Sequence, residues 1–357
     1  MKISDIKLRA FSLPLLGELR WGKGKSLARL DHLLVEVRLE SGSLGRGEVA
    51  VRPQIYGETA ASVRGALDWL RQRIIGLEAA APHLVRKALD ALPYNYAAKA
   101  AVEMAVWEAR AAAEGRRLAD MLPHGRERAR VSFIVGQGDV AATVERAAFA
   151  YERGVRVFKL KTSGAADLDE ARIRRLVDDF PDAEVYVDAN ETLNPKRATD
   201  VLLRWRELGV TMVEEPLPVQ RVEERRRLRA AGVLPLIADD SVFTLASAER
   251  ELELGTFDII NVKPARSGFC WSMGMLERAR VYERGAMIGS QAMSSFGAAR
   301  AALLAFHPVV DRPSELAFHL LTAGGFAEFP PITDGWLERE AVAAVEFDEK
   351  LFRRYEV

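Results

Sequence analysis

Three carboxylates recur along the middle of the chain, each after a short apolar run. They are Asp188, Glu214 and Asp239, and they stand about 25 residues apart, room for one strand, one helix and two loops. With no histidine or cysteine among them, they offer the hard oxygen ligands that suit Mg2+ or Mn2+. Buried carboxylates so close would repel one another unless a cation neutralised them. The pattern therefore predicts a divalent metal site.

Lysines accompany this predicted site. In Lys159-Leu-Lys161, strand alternation places both side chains on one face. Two ammonium groups so close disfavour each other's protonation, so one of them can act as a base near neutral pH. Lys263 ends a further apolar run and would face the same cavity from the other side. A metal bound to a substrate carboxylate and a lysine that removes the neighbouring carbon proton would together generate an enediolate.

The intervals between these charged residues predict the elements that position them. Apolar strands that alternate with helices indicate a parallel sheet covered on both sides. If that sheet closes into a barrel, the carboxyl ends of its strands meet at one mouth, where the active site of this fold lies. The first barrel strand is predicted over residues 131–136, and the seventh and eighth over 286–290 and 315–318. The helices are predicted over 140–153, 195–208, 222–231, 246–254, 270–283 and 295–306.

The N-terminal part has a different pattern. Residues 2–12 and 31–40 alternate like half-buried strands, and residues 17–26 between them, rich in glycine and cations, are predicted to be a loop. The glycines of residues 41–47 indicate a hairpin rather than a phosphate loop, because no helix starts after them. Three amphipathic helices are predicted over 59–75, 80–92 and 96–122. The predicted organisation is an α+β domain (1–125), a barrel (126–322) and a C-terminal segment (323–357) that packs back on the first domain.

Composition excludes several classes of function. Lysine plus arginine and aspartate plus glutamate both number 51, so no surplus of positive charge points to nucleic acid or an anionic membrane. Cys270 is the single cysteine and cannot form an internal disulfide. No apolar run approaches the ~20 residues of a membrane span, and the start of the chain is not a signal sequence. We therefore expect a cytoplasmic protein.

These motifs together resemble the enolase superfamily, specifically the muconate-lactonizing-enzyme subgroup of the mandelate racemase/muconate lactonizing enzyme family. The resemblance covers nearly the whole chain, including Gly45-Arg-Gly-Glu48 and Ala101-Val-Glu-Met-Ala-Val-Trp107-Glu in the N-terminal domain. It implies a (β/α)7β modified TIM barrel with an α+β capping domain. A lysine base combined with Mg2+ is a known pattern of this superfamily.

The resemblance also implies residue roles. Lys161 would be one acid/base catalyst with Lys159 as its modulator, and Lys263 would be the catalyst at the opposite face. Asp188, Glu214 and Asp239 would be the Mg2+ ligands, with Mn2+ as a possible substitute, and Asn190 and Asp240 would support the metal site.

In this family the loops of the capping domain select the substrate, here residues 17–26 and about 51–57. The candidates are Arg20, Trp21, Lys23, Lys25 and Tyr56. The implied partner is a small-molecule carboxylate, and members of the family commonly form homo-oligomers.

Some positions depart from the family pattern. Asp240 stands in Asp239-Asp240-Ser241 where a glutamate is usual, and Met293 takes the place of another common glutamate. The Asp-x-Asp of dipeptide epimerases is absent near the eighth strand, where Ala317-Phe318-His319 stands. These departures weaken an assignment to one known reaction but leave the proton-transfer residues intact.

Three functions therefore remain open. The leading hypothesis is a Mg2+-dependent racemase or epimerase of an amino acid derivative or dipeptide, because lysines on both faces are what two-sided proton exchange needs. The second is dehydration of the o-succinylbenzoate synthase type or muconate-type cycloisomerisation, in which one lysine moves the proton. The third is a metal-binding barrel that has lost catalysis, prompted by Asp240 and Met293.

Overall fold

The chain opens with three antiparallel strands in the computed structural model, which describes residues 1–22 and 24–357. They are β1 (Ile3–Trp21), β2 (Lys25–Leu39) and β3 (Leu44–Val49), in that order across the sheet. The predicted loop over residues 17–26 is therefore wrong. Leu19 pairs with Leu27 and Trp21 with Lys25, so most of this stretch extends the hairpin. An irregularity in the pairing between Pro14 and Leu19 accommodates Gly17 at φ 109°.

The hairpin predicted over residues 41–47 is confirmed, because β2 and β3 pair antiparallel. Its glycines allow close packing on the capping helices. A Cβ at Gly45 or Gly47 would stand 2.0 Å from a backbone oxygen of the last of these helices, at Ala105 or Ala101. The capping helices are α1 (Pro53–Tyr56), α2 (Ala60–Ile74), α3 (Pro82–Leu89) and α4 (Tyr96–Ala113).

A curled sheet of seven parallel strands follows the capping domain, and its strand order is the order of the chain. One buried residue from each of six strands, such as Tyr186, Met212 and Met287, fills its interior. After the short β4 (Arg128–Arg130), the sheet strands are β5 (Phe133–Val135), β6 (Val157–Lys161), β7 (Glu184–Asp188), β8 (Val210–Glu214), β9 (Leu236–Ala238), β10 (Ile259–Val262) and β11 (Gly285–Ile288).

A helix follows each strand of this sheet, as the intervals of about 25 residues predict. The sixth of these helices starts at Pro264, before the predicted residue 270, and it is broken at Gly268. The helices are α5 (Val140–Tyr151), α6 (Ala166–Asp179), α7 (Ala198–Glu207), α8 (Val222–Ala230), α9 (Leu245–Leu254), α10 (Pro264–Val281) and α11 (Ser295–Ala302).

The predicted eighth strand over residues 315–318 is not regular. The Glu315 amide donates to the Ile288 carbonyl (2.8 Å), and the Ser132 amide donates to the Ser314 carbonyl (2.7 Å), so a few isolated hydrogen bonds, rather than a regular ladder, close the sheet between β11 and β5. Pro313 has no amide hydrogen for a ladder, and Phe318–Leu321 turns into a 3-10 helix. The barrel therefore closes through an irregular segment that still brings Glu315 to its mouth.

The C-terminal segment contacts both the barrel and the capping sheet. Its strand β12 (Trp336–Glu338) pairs antiparallel with β4. After α12 (Arg339–Ala343) and α13 (Glu349–Phe352), the chain ends along β1, where the Val357 amide donates to the Ala10 carbonyl (3.0 Å). Within the described residues, no helix has both the length and the apolar character needed to cross a membrane.

Candidate active site

The three predicted metal ligands meet at the barrel mouth. Asp188 ends β7, Glu214 ends β8 and is its partner in the sheet register, and Asp239 follows β9 directly. All three are buried, and one carboxylate oxygen from each lies within 4.8 Å of the others. Parallel strands achieve this because their carboxyl ends share one edge.

Lys159 lies beneath this triad and is surrounded by carboxylates. Its Nζ is 2.9 Å from Asp188 Oδ2, 2.7 Å from Glu214 Oε2 and 2.5 Å from Glu315 Oε1. Burial by itself lowers the pKa of Lys159, but the charges of these three carboxylates outweigh burial and raise the pKa well above its usual range. The expected mutual lowering of lysine pKa values is therefore wrong for Lys159, which is a fixed cation.

Lys161 and Lys263 reach the same cavity from opposite sides, because three strands separate β6 from β10 in the sheet. Lys161 Nζ donates to Asp188 Oδ2 at 2.5 Å. Lys263 Nζ donates to Asp239 Oδ2 at 2.6 Å. Each lysine thus contacts one end of the carboxylate triad.

Burial and neighbouring charges shift the pKa values of the three carboxylates in different directions. Burial favours the neutral form of Asp188, but Lys159 and Lys161 hold its pKa at about 2. In the same way Lys263 and Arg266 overcome burial and keep the pKa of Asp239 well below its usual range. For Glu214, burial together with the charges of its carboxylate neighbours outweighs Lys159 and raises the pKa well above its usual range.

This arrangement fits a divalent cation. Three buried carboxylates within 4.8 Å of one another provide an all-oxygen donor set. The pKa of Glu214 is raised because burial and the neighbouring carboxylates disfavour its negative charge. A divalent cation between the three groups would reverse that preference, because bound cations dominate the local electrostatics. The site is therefore able to hold a metal ion.

Backbone strain at the ends of the strands accompanies the site. Asn190 has a positive φ of 42°, and its amide donates to Asp188 Oδ1 (2.9 Å). Glu215, at φ 36°, accepts from the Asp239 amide (2.7 Å) and forms an ion pair with Arg225. Asn190 and Glu215 therefore hold Asp188 and Asp239 in place through hydrogen bonds. The Oδ1 atom of Asn190 is buried and has no hydrogen-bond partner in the described part of the chain.

Sequence reasoning missed two residues that contact the triad or the lysine beside it. Glu315 is buried against Lys159 and also accepts from the Ser290 amide (2.7 Å). Arg266 donates to the Asp239 carbonyl (2.8 Å) and to its Oδ1 (3.0 Å). Both stood at positions that could have been noticed, because Glu315 starts the predicted eighth strand and Arg266 follows Lys263 by one turn.

The cavity above the triad is small, with a volume of about 70 Å3, and its wall is mixed in character. Trp21 and Lys25, two of the predicted substrate-binding residues, line it, and so does Asp240. Its remaining lining residues are Leu19, Leu27, Arg52, Ile55, Ile134, Lys161, Asn190, Asp239, Lys263, Ser290, Gln291, Ala292 and Phe318.

The other predicted substrate-binding residues lie elsewhere. Arg20 is exposed and pairs with Glu18 at 2.6 Å, because alternation along β1 turns it away from Trp21's side. Tyr56 is directed inward, where its hydroxyl donates to the Ala50 carbonyl at 2.5 Å. Lys23 lies outside the described residues. Met293 is buried in a small apolar cluster and does not line the cavity.

Comparison with known proteins identifies the class. Residues 140–342 match the family model described as "Enolase C-terminal domain-like", and residues 25–123 match that of the "Mandelate racemase / muconate lactonizing enzyme, N-terminal domain". The chain therefore belongs to the enolase superfamily, in its mandelate racemase/muconate lactonizing enzyme family.

Individual relatives differ in their reactions. The chain is 33% identical to the L-Lys-D/L-Arg epimerase of Methylococcus capsulatus over 70% of both proteins. It is 31% identical to the o-succinylbenzoate synthase of Geobacillus stearothermophilus over 76% of this chain and 73% of that enzyme. Among solved structures, the muconolactone complex of muconate lactonizing enzyme from Mycobacterium smegmatis has a TM-score of 0.92, 29% identity and full coverage of both chains.

Proposed function

We propose that this protein is a Mg2+-dependent racemase or epimerase that removes the proton α to a carboxylate and returns one to the opposite face of the carbon. The observation that carries the proposal is the position of Lys161 and Lys263 on opposite sides of one cavity, with the carboxylate triad between them. The substrate would be an amino acid derivative or a dipeptide, as in the relatives named epimerases.

In this proposal, the two lysines transfer protons at opposite faces of the α-carbon. For one enantiomer, the amine of Lys161 takes the α-proton and the ammonium of Lys263 supplies a proton to the other face; for the other enantiomer the roles exchange. Lys159, fixed as a cation among three carboxylates, keeps Asp188 and Glu214 in place. A Mg2+ ion held by Asp188, Glu214 and Asp239, or Mn2+ in its place, would neutralise the charge that develops on the substrate carboxylate.

The cavity wall determines what surrounds the rest of the substrate. Trp21 and Lys25 contribute from the hairpin, and Arg52 and Ile55 from the segment before and within α1. Because the capping domain supplies these residues, we infer that it closes over the substrate and limits access of water to the carbon that loses its proton. Arg20 and Tyr56 do not line this wall, so the proposal gives them no contact with the substrate.

A second candidate is dehydration or cycloisomerisation. It is favoured by the relatives named o-succinylbenzoate synthase and by the similarity to muconate lactonizing enzyme. Such reactions need one lysine for proton transfer and leave the other as an electrostatic group. The two candidates therefore differ in whether Lys263 is required to move a proton.

The proposal is tested by incubating the protein with Mg2+ in D2O and a panel of dipeptides, N-succinylamino acids and hydroxy acids. We expect a mass gain of one deuterium in some panel members, together with inversion observed by chiral chromatography. Lys161→Ala should abolish the inversion, and should abolish the uptake for the enantiomer that Lys161 deprotonates, while Lys196→Ala, which replaces an exposed lysine on the barrel surface, should do neither. Elimination without inversion would support the second candidate, and a metal-loaded protein that exchanges nothing would contradict the proposal.

A further inference from the structure

Helix α10 is broken four residues after it begins. Gly268 adopts φ 66° and ψ −179°, which separates the turn at residues 264–267 from the longer helix that follows. A break of this kind leaves carbonyl groups of the turn and amide groups of the next helix without partners inside the helix. Two of these groups are satisfied from the capping domain.

Two buried residues of the capping domain fill the break. Glu103 of α4 accepts a hydrogen bond from the Cys270 amide (2.9 Å), at the start of the longer helix. Arg86 of α3 donates to the Ser267 carbonyl (2.6 Å), at the end of the turn. The two side chains also approach each other at 3.3 Å. The capping domain thus provides one helix cap on each side of Gly268.

The position of Gly268 shows how closely the two domains fit here. A Cβ at this residue would stand 2.0 Å from Glu103 Oε2 and 3.2 Å from Arg86 Nη1. Its φ also lies in the left-handed region that favours glycine. The backbone of α10 is therefore shaped to admit the carboxylate and the guanidinium of its neighbour.

The turn held in this way carries site residues. The Lys263 carbonyl accepts from the amides of Arg266 (3.0 Å) and Ser267 (3.1 Å), which fixes Lys263 at the entrance of the turn. Arg266 in turn binds the carbonyl and carboxylate of Asp239. A displacement of the turn would therefore move both the lysine of one face and the group that orients one ligand of the triad.

We propose that Arg86 and Glu103 are positioning residues for the Lys263 face of the site. This inference rests on the proposed function, since it assigns them an effect on one of its two proton transfers. Lys161 is held mainly by the barrel: it ends β6, and its carbonyl accepts from Arg172 of the barrel (2.9 Å). Loss of the caps should therefore affect the two faces unequally.

The first test measures the turn without using the reaction. Glu103→Gln keeps the size of the side chain but removes the charge that pairs with Arg86. Amide hydrogen exchange of a peptide spanning residues 263–272 should become at least about fivefold faster. Glu58→Gln is the matched control, because Glu58 is a buried carboxylate of the same domain that caps α4, rather than α10, through the Ala97 amide (3.0 Å). Equal exchange in the two variants would overturn the inference.

The second test uses the panel member that takes up deuterium fastest, with each enantiomer assayed separately. Glu103→Gln should lower inversion by about tenfold or more at nearly unchanged KM, since a displacement near 1 Å can cost that much. Exchange without inversion should fall for the enantiomer that Lys263 deprotonates, and should stay within about threefold of wild type for the other.

An equal loss at both faces, or a loss matched by Glu58→Gln, would overturn the positioning role. If the wild-type protein exchanges no panel member, the proposed function fails, and the amide exchange result alone decides whether Arg86 and Glu103 hold the turn.

Discussion

Lys161 and Lys263 contact the same triad, yet the fold holds them by different means. Lys161 is part of a continuous strand, where its register partner is Asp188 and its carbonyl is bound by Arg172. Lys263 precedes a helix that is broken at Gly268 and capped from the other domain. Contacts within the barrel hold the lysine of one face, whereas the second face depends on contact between domains. Changes in the capping domain can therefore alter one proton transfer and leave the other intact.

The largest effect should come from the lysines themselves. Lys161→Ala and Lys263→Ala should each lower inversion by about 10³-fold or more, because each removes a general acid and base. In each variant, exchange of the α-proton for deuterium without inversion should survive only for the enantiomer whose α-proton faces the remaining lysine. Chiral analysis of deuterium uptake measures both quantities. A Lys263→Ala variant that keeps full turnover of any panel member would show that one lysine suffices, as dehydration or cycloisomerisation requires.

The triad provides the next comparison, with one aspartate on each side. Asp188→Asn and Asp239→Asn should each weaken Mn2+ binding by about 100-fold, since each removes a charged oxygen ligand. Titration followed by electron paramagnetic resonance of Mn2+ measures this affinity. The comparison variant is Asp240→Asn, a change of the same kind at the adjacent cavity residue outside the triad, with a smaller expected loss of about tenfold. Comparable losses in all three variants would place the cation elsewhere in the cavity.

The capping domain is joined to the site at a second place, around His32. The buried His32 Nδ1 donates to Glu48 Oε1 (2.6 Å), and its Nε2 accepts from Arg52 (2.7 Å). Arg52 also donates to the Gln291 carbonyl (2.9 Å), in the segment that follows β11. Protonation of His32 would place a hydrogen against the guanidinium. Burial, with Arg52 as the second cause, accordingly lowers the pKa of His32 to about 4.

The lowered pKa of His32 predicts that the stability of the folded protein depends on pH. The folded pKa of His32 lies below its unfolded value of about 6.5, so the unfolded chain binds more protons and stability is lost as pH falls from about 6.5 toward 4. Between pH 8 and 5 the loss from this residue should be about 2 kcal/mol. Urea unfolding of wild type and His32→Gln measures it, because the variant lacks this contribution. His83→Gln, at an exposed histidine of α3, serves as the control, and an equal pH dependence in all three proteins would contradict the assignment.

Some residues of the site could be predicted from the sequence, whereas the residues that position them could not. Asp188, Glu214 and Asp239 could be found because each closely follows a strand, and the interval between strands is regular. The roles of Arg86 and Glu103 could not, because they arise from contacts between distant parts of the chain that no local pattern marks. The predicted loop at residues 17–26 failed for a similar reason, since its pairing with β2 outweighs the breaking tendency of its glycines.

The smallest effects should come from the hairpin and should separate neighbours in β1. Trp21 lines the cavity, whereas Arg20 is exposed and paired with Glu18. Trp21→Ala should raise KM by about tenfold, because it removes a large apolar surface from the wall. Arg20→Ala should change KM by less than about twofold, since exposed ion pairs contribute little. Steady-state kinetics on the best panel member tests both. A larger effect on KM at Arg20 than at Trp21 would contradict this assignment. It would mean that the hairpin rotates when substrate binds, so that strand alternation in the free protein does not determine which side chains contact the substrate.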